Sequence, residues 1–150
     1  MQIMTAVTAF LFIAHTPSTS RFNELEAAKV RWNARGFGDY QFDYQAVCFC
    51  VPEVTVLSRV EVQAGRVSRV TQLEGRQPLS ADNLGLFSTI EQMFTNLERD
   101  LTIPSNDFFV DIEITFDPTF GFPSKIIYVP NRGVDDSGAM LMLTNLQPLK

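Results

Sequence analysis

The chain is poor in the residues that most often carry chemistry. Its 150 residues include two cysteines, one histidine, one tryptophan and three lysines. The lone histidine, His15, leaves no Ser-His-Asp or Cys-His arrangement for nucleophilic catalysis. It also leaves a thiolate metal site short of the imidazole ligands that would complete it. The lysines, Lys29, Lys125 and Lys150, are scattered, and 12 basic residues face 17 acidic ones for a net charge of −5. A nucleic-acid surface needs clustered Lys and Arg, so that class of partner is excluded. An anionic membrane surface is disfavoured for the same reason. No glycine-rich phosphate loop is present.

Apolar material is plentiful. Hydrophobic residues make up 45% of the chain, and 13 Phe against 3 Tyr concentrate it in rings that need no hydrogen-bond partner. That is enough to bury the core of one domain. The apolar run from Thr5 to Ala14 is too short to span a bilayer but has the length of a signal-peptide core. No Lys or Arg precedes it, and a cut after Ala14 would put bulky Phe12 where a small residue is wanted. Two readings stand: a degenerate signal or tether, and a buried N-terminal strand. No cysteine follows the run to carry a lipid. Residues 1–19 are therefore expected to be leader and linker, and 20–150 a single domain.

His15 to Ser20 is a polar break in which Ser18 or Ser20 is expected to cap a helix over Arg21–Arg35. Phe22, Leu25, Ala28 and Trp32 recur there at helical spacing. Glu24 and Glu26 lie early, and Lys29, Arg31 and Arg35 late, as the helix dipole favours; Gly36 supplies a left-handed end. Asp39–Val51 reads as a strand, with Tyr40, Phe42, Tyr44, Ala46, Cys48 and Cys50 on one face and Gln41, Asp43 and Gln45 on the other. Pro52 stops it. Val54, Val56, Ser58, Val60 and Val62 alternate as a second strand, and Ala64-Gly65 turns the chain into a third near Arg66–Leu73. Glu74–Phe87 reads as a loop. Ser88-Thr89-Ile90-Glu91 has the spacing of a capping box, ahead of a helical stripe of Ile90, Met93, Phe94, Leu97 and Leu101.

Phe108–Phe116 carries the clearest alternation, with Phe108, Val110, Ile112, Ile114 and Phe116 on one face. Ser124–Val129 and Ala139–Leu146 follow as strands, separated by the polar loop Pro130–Gly138. The order is helix, three strands, helix, three strands. It predicts an α+β fold: an antiparallel sheet of about six strands with two amphipathic helices on one face. Leu25, Trp32, Met93 and Leu97 are expected to pack on Tyr40, Phe42, Val110, Ile112 and Ile114.

Three motifs stand in order along the chain: Trp32-x-x-x-Gly36-x-x-Asp39-Tyr40, Cys48-Phe49-Cys50-x-Pro52 and Asp117-Pro118-x-x-Gly121-x-Pro123. Together they resemble the bacterial domain-of-unknown-function family 6174, over about Asn23 to Leu149. The resemblance implies a small exported or lipoprotein-type domain, and so supports the export reading of the leader. It implies no activity. The family's lipid-carrying cysteine is missing here, and its aromatic ending after a paired Asp is replaced by Asp135-Asp136-Ser137-Gly138-Ala139-Met140-Leu141-Met142.

Cys48 and Cys50 are the first candidate site. On an extended strand their Cα atoms would lie ~6.6 Å apart at the usual ~3.3 Å rise. That is the long limit for a disulfide, and a kink before Pro52 would shorten it. A structural disulfide or a pair of packed thiols stands against a redox-active pair, which usually sits at a helix N-terminus rather than in a strand. Trp32, Gly36, Asp39 and Tyr40 mark a corner, either helix-to-sheet packing or an aromatic platform for a ligand. Asp117, Pro118, Gly121 and Pro123 read as a structural turn: Asp bonds its own backbone, Pro fixes φ, and Gly permits φ > 0. Asp111, Glu113 and Asp117 read as the solvated side of a strand. Asp135 and Asp136 are a weak Ca²⁺ pair. Met140 and Met142 could complete a Cu(I) site with the cysteines, although alternating Met is ordinarily core packing. No cofactor is implied.

The sequence therefore reads as a non-catalytic, exported or envelope-associated binding or structural module, its partner an unidentified protein or small molecule. A thiol-redox protein is the rival reading, and a Ca²⁺-dependent module the third. An extracytoplasmic location is favoured over a cytoplasmic one.

Overall fold

The computed structural model describes residues 17–103, 109–131, 133 and 138–150. The leader run Thr5–Ala14, Phe108 and the Asp135-Asp136 pair lie outside the described residues. The elements in chain order are α1 (Pro17–Asn33), β1 (Tyr40–Cys48), the single turn α2 (Pro52–Thr55), β2 (Ser58–Gln63), β3 (Arg66–Gln72), β4 (Gln77–Pro78), a 3₁₀ turn (Ala81–Leu86), α3 (Ile90–Thr102), β5 (Phe109–Phe116), β6 (Pro123–Pro130) and β7 (Ala139–Pro148). The strands form one antiparallel sheet in the order β4-β3-β2-β1-β7-β6-β5. The fold is α+β, as the alternation predicted.

The sheet is two meanders joined where β1 pairs with β7, Tyr44 opposite Leu143 and Ala46 opposite Leu141. In the β2–β3 hairpin, Ala64 (φ 48°) and Gly65 (φ 72°) are both left-handed, which matches the twist of the strands they join. One parity of each central strand is buried: Tyr40, Phe42, Tyr44 and Ala46 on β1, Val60 and Val62 on β2, Ile126 on β6 and Leu143 on β7. These join Leu25, Ala28 and Trp32 of α1 and Ile90, Met93, Phe94 and Leu97 of α3 in a single core. Since every strand residue in that core has the same parity, both long helices lie on one face. Gln41, Asp43, Gln45 and Val47 point to the other face, which neither long helix covers.

Several local expectations are corrected. The first helix begins at Pro17, where a missing N–H costs nothing, so Ser18 and Ser20 lie inside it. Ser20 Oγ donates to the Glu24 carboxylate at 3.2 Å. β1 ends at Cys48, so Phe49 and Cys50 lie in a bend rather than on the strand. Residues 52–55, where the strand alternation was read to begin, form α2 with Val54 turned inward. The presumed loop 74–87 holds β4 and the 3₁₀ turn, so the sheet has seven strands. The capping box sits one residue later than read: Thr89 Oγ1 accepts from Gln92 N at 3.2 Å, and Gln92 Oε1 accepts from Thr89 N at 2.8 Å. A register shift between Phe109 and Asp111 turns Phe109 onto the core and leaves Val110 exposed, so Val110 is not in the helix–sheet interface.

Candidate functional site

The first corner is built around a carboxylate that the sequence reading had assigned to the helix cap. Trp32 closes α1, Tyr40 opens β1, and their rings meet edge to face at 5.1 Å. Both are fully buried, yet each carries a polar atom that needs a partner. Glu91, on the first turn of α3, supplies it. Its Oε1 accepts from Trp32 Nε1 at 3.0 Å and from Arg35 Nη2 at 2.8 Å, and its Oε2 accepts from Tyr40 OH at 2.6 Å. Tyr40 OH in turn accepts from Ile90 N at 3.0 Å. The Arg35 guanidinium lies 3.9 Å over the Trp32 ring, a cation–π contact. Burial, then the bond to Glu91, pushes the Tyr40 hydroxyl far above the ordinary tyrosine range, so it stays a donor. Gly36 has φ 80° with open space at its Cα, so backbone conformation alone favours glycine there. Asp39 ties the corner outward: its Oδ1 accepts from Ala64 N at 2.9 Å and its carbonyl from Leu149 N at 3.0 Å. Trp32 and Tyr40 offer no ring surface to solvent, which is the geometry of helix-to-sheet packing.

The turn at 117–123 docks on the same helix. Asp117 Oδ1 accepts from the backbone N–H groups of Thr119 and Phe120, at 3.0 and 2.6 Å. Gly121 (φ 81°) presses against α1 so closely that a Cβ there would collide with the Ala28 carbonyl oxygen and with Arg31 Cβ. Phe122 is buried, and the Phe120 ring meets Phe37 edge to face at 5.5 Å. Pro123 is the first residue of β6.

At the far end of β1, Cys48 and Cys50 lie at disulfide distance, with Cα atoms 5.2 Å apart. The bend after Cys48 brings them closer than an extended strand would. Between them Phe49 is 88% exposed, flanked by exposed Val47 and Val51. Val47, Met140 and Ile127 stand directly opposite one another across β1, β7 and β6 on the uncovered face. Met140 and Met142 therefore face away from the core, where packing had been expected to put them.

The other half of the uncovered face reverses that pattern. Asp43 is only 3% exposed although it lies on the face that neither long helix covers. Its carboxylate accepts from Arg59 Nε and Nη2, at 2.9 and 3.2 Å, and from Asn145 Nδ2 at 2.7 Å. Asn145 is left-handed, at φ 53°, where the β1–β7 register shifts between Gln41 and Asp43. Of the acidic residues read as solvated, Asp111 is bridged by Arg21 of α1, with Nη2 at 3.0 Å from Oδ2. Among the described residues no three His, Cys, Asp or Glu side chains converge on a common point, and no helix is long and apolar enough to cross a membrane.

The three motifs thus mark a corner, a disulfide bend and a docked turn. The profile of a family of unknown function, DUF6174, matches residues 24–148. The chain belongs to that family. No curated protein and no solved structure matches it. Within this DUF6174 chain two of the motifs are explained by packing on α1, whereas Cys48-Phe49-Cys50 alone presents its central side chain to solvent. Sequence reasoning missed Glu91, Asp43 and Asn145. A signal for Glu91 existed: a buried Trp and a buried Tyr beside an Arg call for one shared acceptor.

Proposed function

We propose that this DUF6174 chain is a non-catalytic binding module that works outside the cytoplasm and presents the ledge around Phe49 to a partner. The exposure of Phe49 carries the reading. A bend closed by a disulfide cannot fold the ring back onto the sheet, so the aromatic is held in place before any partner arrives. Rigid aromatic anchors of that kind concentrate binding energy, because little freedom is lost on contact. Val47, Val51, Met140 and Ile127 extend the ledge into an apolar patch, a feature that marks interaction surfaces. The disulfide supports an oxidising compartment, and the leader Thr5–Ala14 supports export to it.

A photo-reactive amino acid at position 49, in the native host, tests the reading. The expected result is protein outside the cytoplasm with no free thiol, cross-linked to one discrete species that disappears with Val47→Asp. Soluble cytoplasmic protein with two free thiols and no discrete cross-link would overturn it.

A thiol-redox role is the second reading, favoured by the exposure of Cys50, which places a sulfur within reach of an attacking thiolate. It requires exchange with glutathione at a potential above about −250 mV and one thiol that titrates well below ~8.5. A bridge that resists millimolar reductant eliminates it.

A further inference from the structure

The polar half of the uncovered face holds a concavity of about 540 Å³, lined by Gln41, Arg59, Glu61, Thr71, Leu73 and Arg76. We infer that it binds a small carboxylate-bearing solute, with the acid group between the guanidinium groups of Arg59 and Arg76 and donor groups at the ligand's other end toward Glu61. The inference does not rest on the Phe49 ledge, which lies at the opposite end of β1.

Arg59 is aimed from below. Its Nε and Nη2 are committed to the buried Asp43 carboxylate, at 2.9 and 3.2 Å, and Asn145 holds that carboxylate from the other side at 2.7 Å. The remaining Nη1 edge of a guanidinium fixed in this way is a pre-positioned donor, which is what carboxylate recognition requires. Arg76 forms the wall. It sits in a left-handed conformation (φ 52°) after Gly75 (φ 75°), just before β4, and makes no hydrogen bond or ion pair among the described residues.

Arg59 is paired with Asp43 and Glu61 faces Arg69 at 4.0 Å, whereas Arg76 makes no ion pair among the described residues, exposed Glu74 of the same turn being unbonded to it. An unpaired guanidinium beside a half-committed one offers free donors to an anion, and the flat fork of each suits a carboxylate. At the opposite side Glu61 and the Gln41 side-chain oxygen are acceptors; one of the two Gln41 amide N–H donors goes to Gln147 at 3.2 Å. They ask for hydroxyl or ammonium donors on the ligand. The volume falls within the ordinary range for small-molecule sites, about 300–1,000 Å³. Leu73 supplies an apolar side. An acidic sugar and an acidic dipeptide share this chemistry.

The test uses the full chain and follows the arginine side-chain Nε–H resonances by NMR during titration with D-glucuronate and, separately, with the dipeptide Ala-Glu. D-Glucose and inorganic phosphate serve as controls. The expected result is saturable shifts at Arg59 and Arg76 with at least one of the two acids and none with glucose. Arg76→Gln should weaken that binding at least tenfold while leaving the unfolding temperature unchanged. Whichever acid binds names the source. The inference is overturned if neither acid saturates at millimolar concentration, if phosphate binds as well as the acids, or if Arg76→Gln leaves affinity untouched.

Discussion

Strand β1 carries both surfaces of the sheet, with Tyr40, Phe42, Tyr44 and Ala46 on one side and Gln41, Asp43, Gln45 and Val47 on the other. On the covered side the rule is familiar: apolar residues are dry, and the polar atoms brought in with Trp32 and Tyr40 are satisfied by Glu91. On the uncovered side the rule is inverted twice. A charged residue, Asp43, is dry, and apolar Val47 and Phe49 are wet. The alternation of a strand decides only which way a side chain points. Whether it is then covered depends on what distant segments bring: Arg59 and Asn145 close over Asp43, whereas nothing described closes over Val47.

The sharpest way to probe that contrast is to delete the residue that anchors the covered side. Trp32→Ala should cost about 3–5 kcal/mol in denaturant unfolding, the range for removing a large buried aromatic. A loss under ~1 kcal/mol would mean the corner is not a core element. Next comes the dry charge. Arg59→Ala leaves the Asp43 carboxylate buried with Asn145 alone, and it should cost about 1–3 kcal/mol, the range for under-satisfying a buried acceptor, since the guanidinium itself is partly exposed. Adding Asp43→Asn should recover part of that loss; if the single change costs nothing, Asp43 is solvated and the two faces do not differ in this way.

Smaller effects follow at the bend. Replacing Cys48 and Cys50 together by Ser should cost about 0–2 kcal/mol, because so short a loop removes little entropy from the unfolded chain. A loss above ~3 kcal/mol would make the bridge a main support of the fold. At the edge strand, Arg21 holds the Asp111 carboxyl below its usual range, chiefly through the side-chain hydrogen bond. A carboxyl with a lowered folded value contributes stability that is fully present above the unfolded value of about 3.9. That contribution is lost as pH falls through the folded value. Wild type and Asp111→Asn should therefore differ in urea midpoint at pH 6 and converge as pH falls through the lowered folded value. The difference should be small, since both side chains are more than a third exposed. A gap that persists at low pH would assign the effect to something other than charge. The smallest effect belongs to the ledge: Phe49→Ser should change stability by no more than about 0.5 kcal/mol, as at other exposed positions. A large loss would mean that the ring is not free to meet a partner.

Much of the architecture was legible because it rests on local periodicity. The period-2 runs at 40–48 and 109–116 and the apolar stripes at 22–32 and 90–101 each identify a buried face within a dozen residues of chain. Part of what escaped was decided by a single residue of offset. The capping box at Thr89–Gln92 rather than Ser88–Glu91 released Glu91 to the Trp32–Arg35–Tyr40 corner. The shift at Phe109–Asp111 exchanged the sides of Phe109 and Val110. Such offsets cost little locally and are settled by partners that lie far away in the chain.

By itself, then, the order of residues determined the type of every long element, their antiparallel α+β assembly and the family. Strand and helix periods, turn chemistry and motif spacing are all short-range properties of the chain. Only the tertiary structure decided that two of the three motifs serve packing on α1, that Asp43 is a buried ion partner, and that Phe49 stands clear of the core. Each depends on which segments come together: α1 against the 117–123 turn, β7 beside β1 with its register shift, and the disulfide bend beyond the reach of both long helices. Burial is a property of neighbours, and for these residues the decisive neighbours lie outside the local run of chain: Arg59 and Asn145 for Asp43, the 117–123 turn for α1.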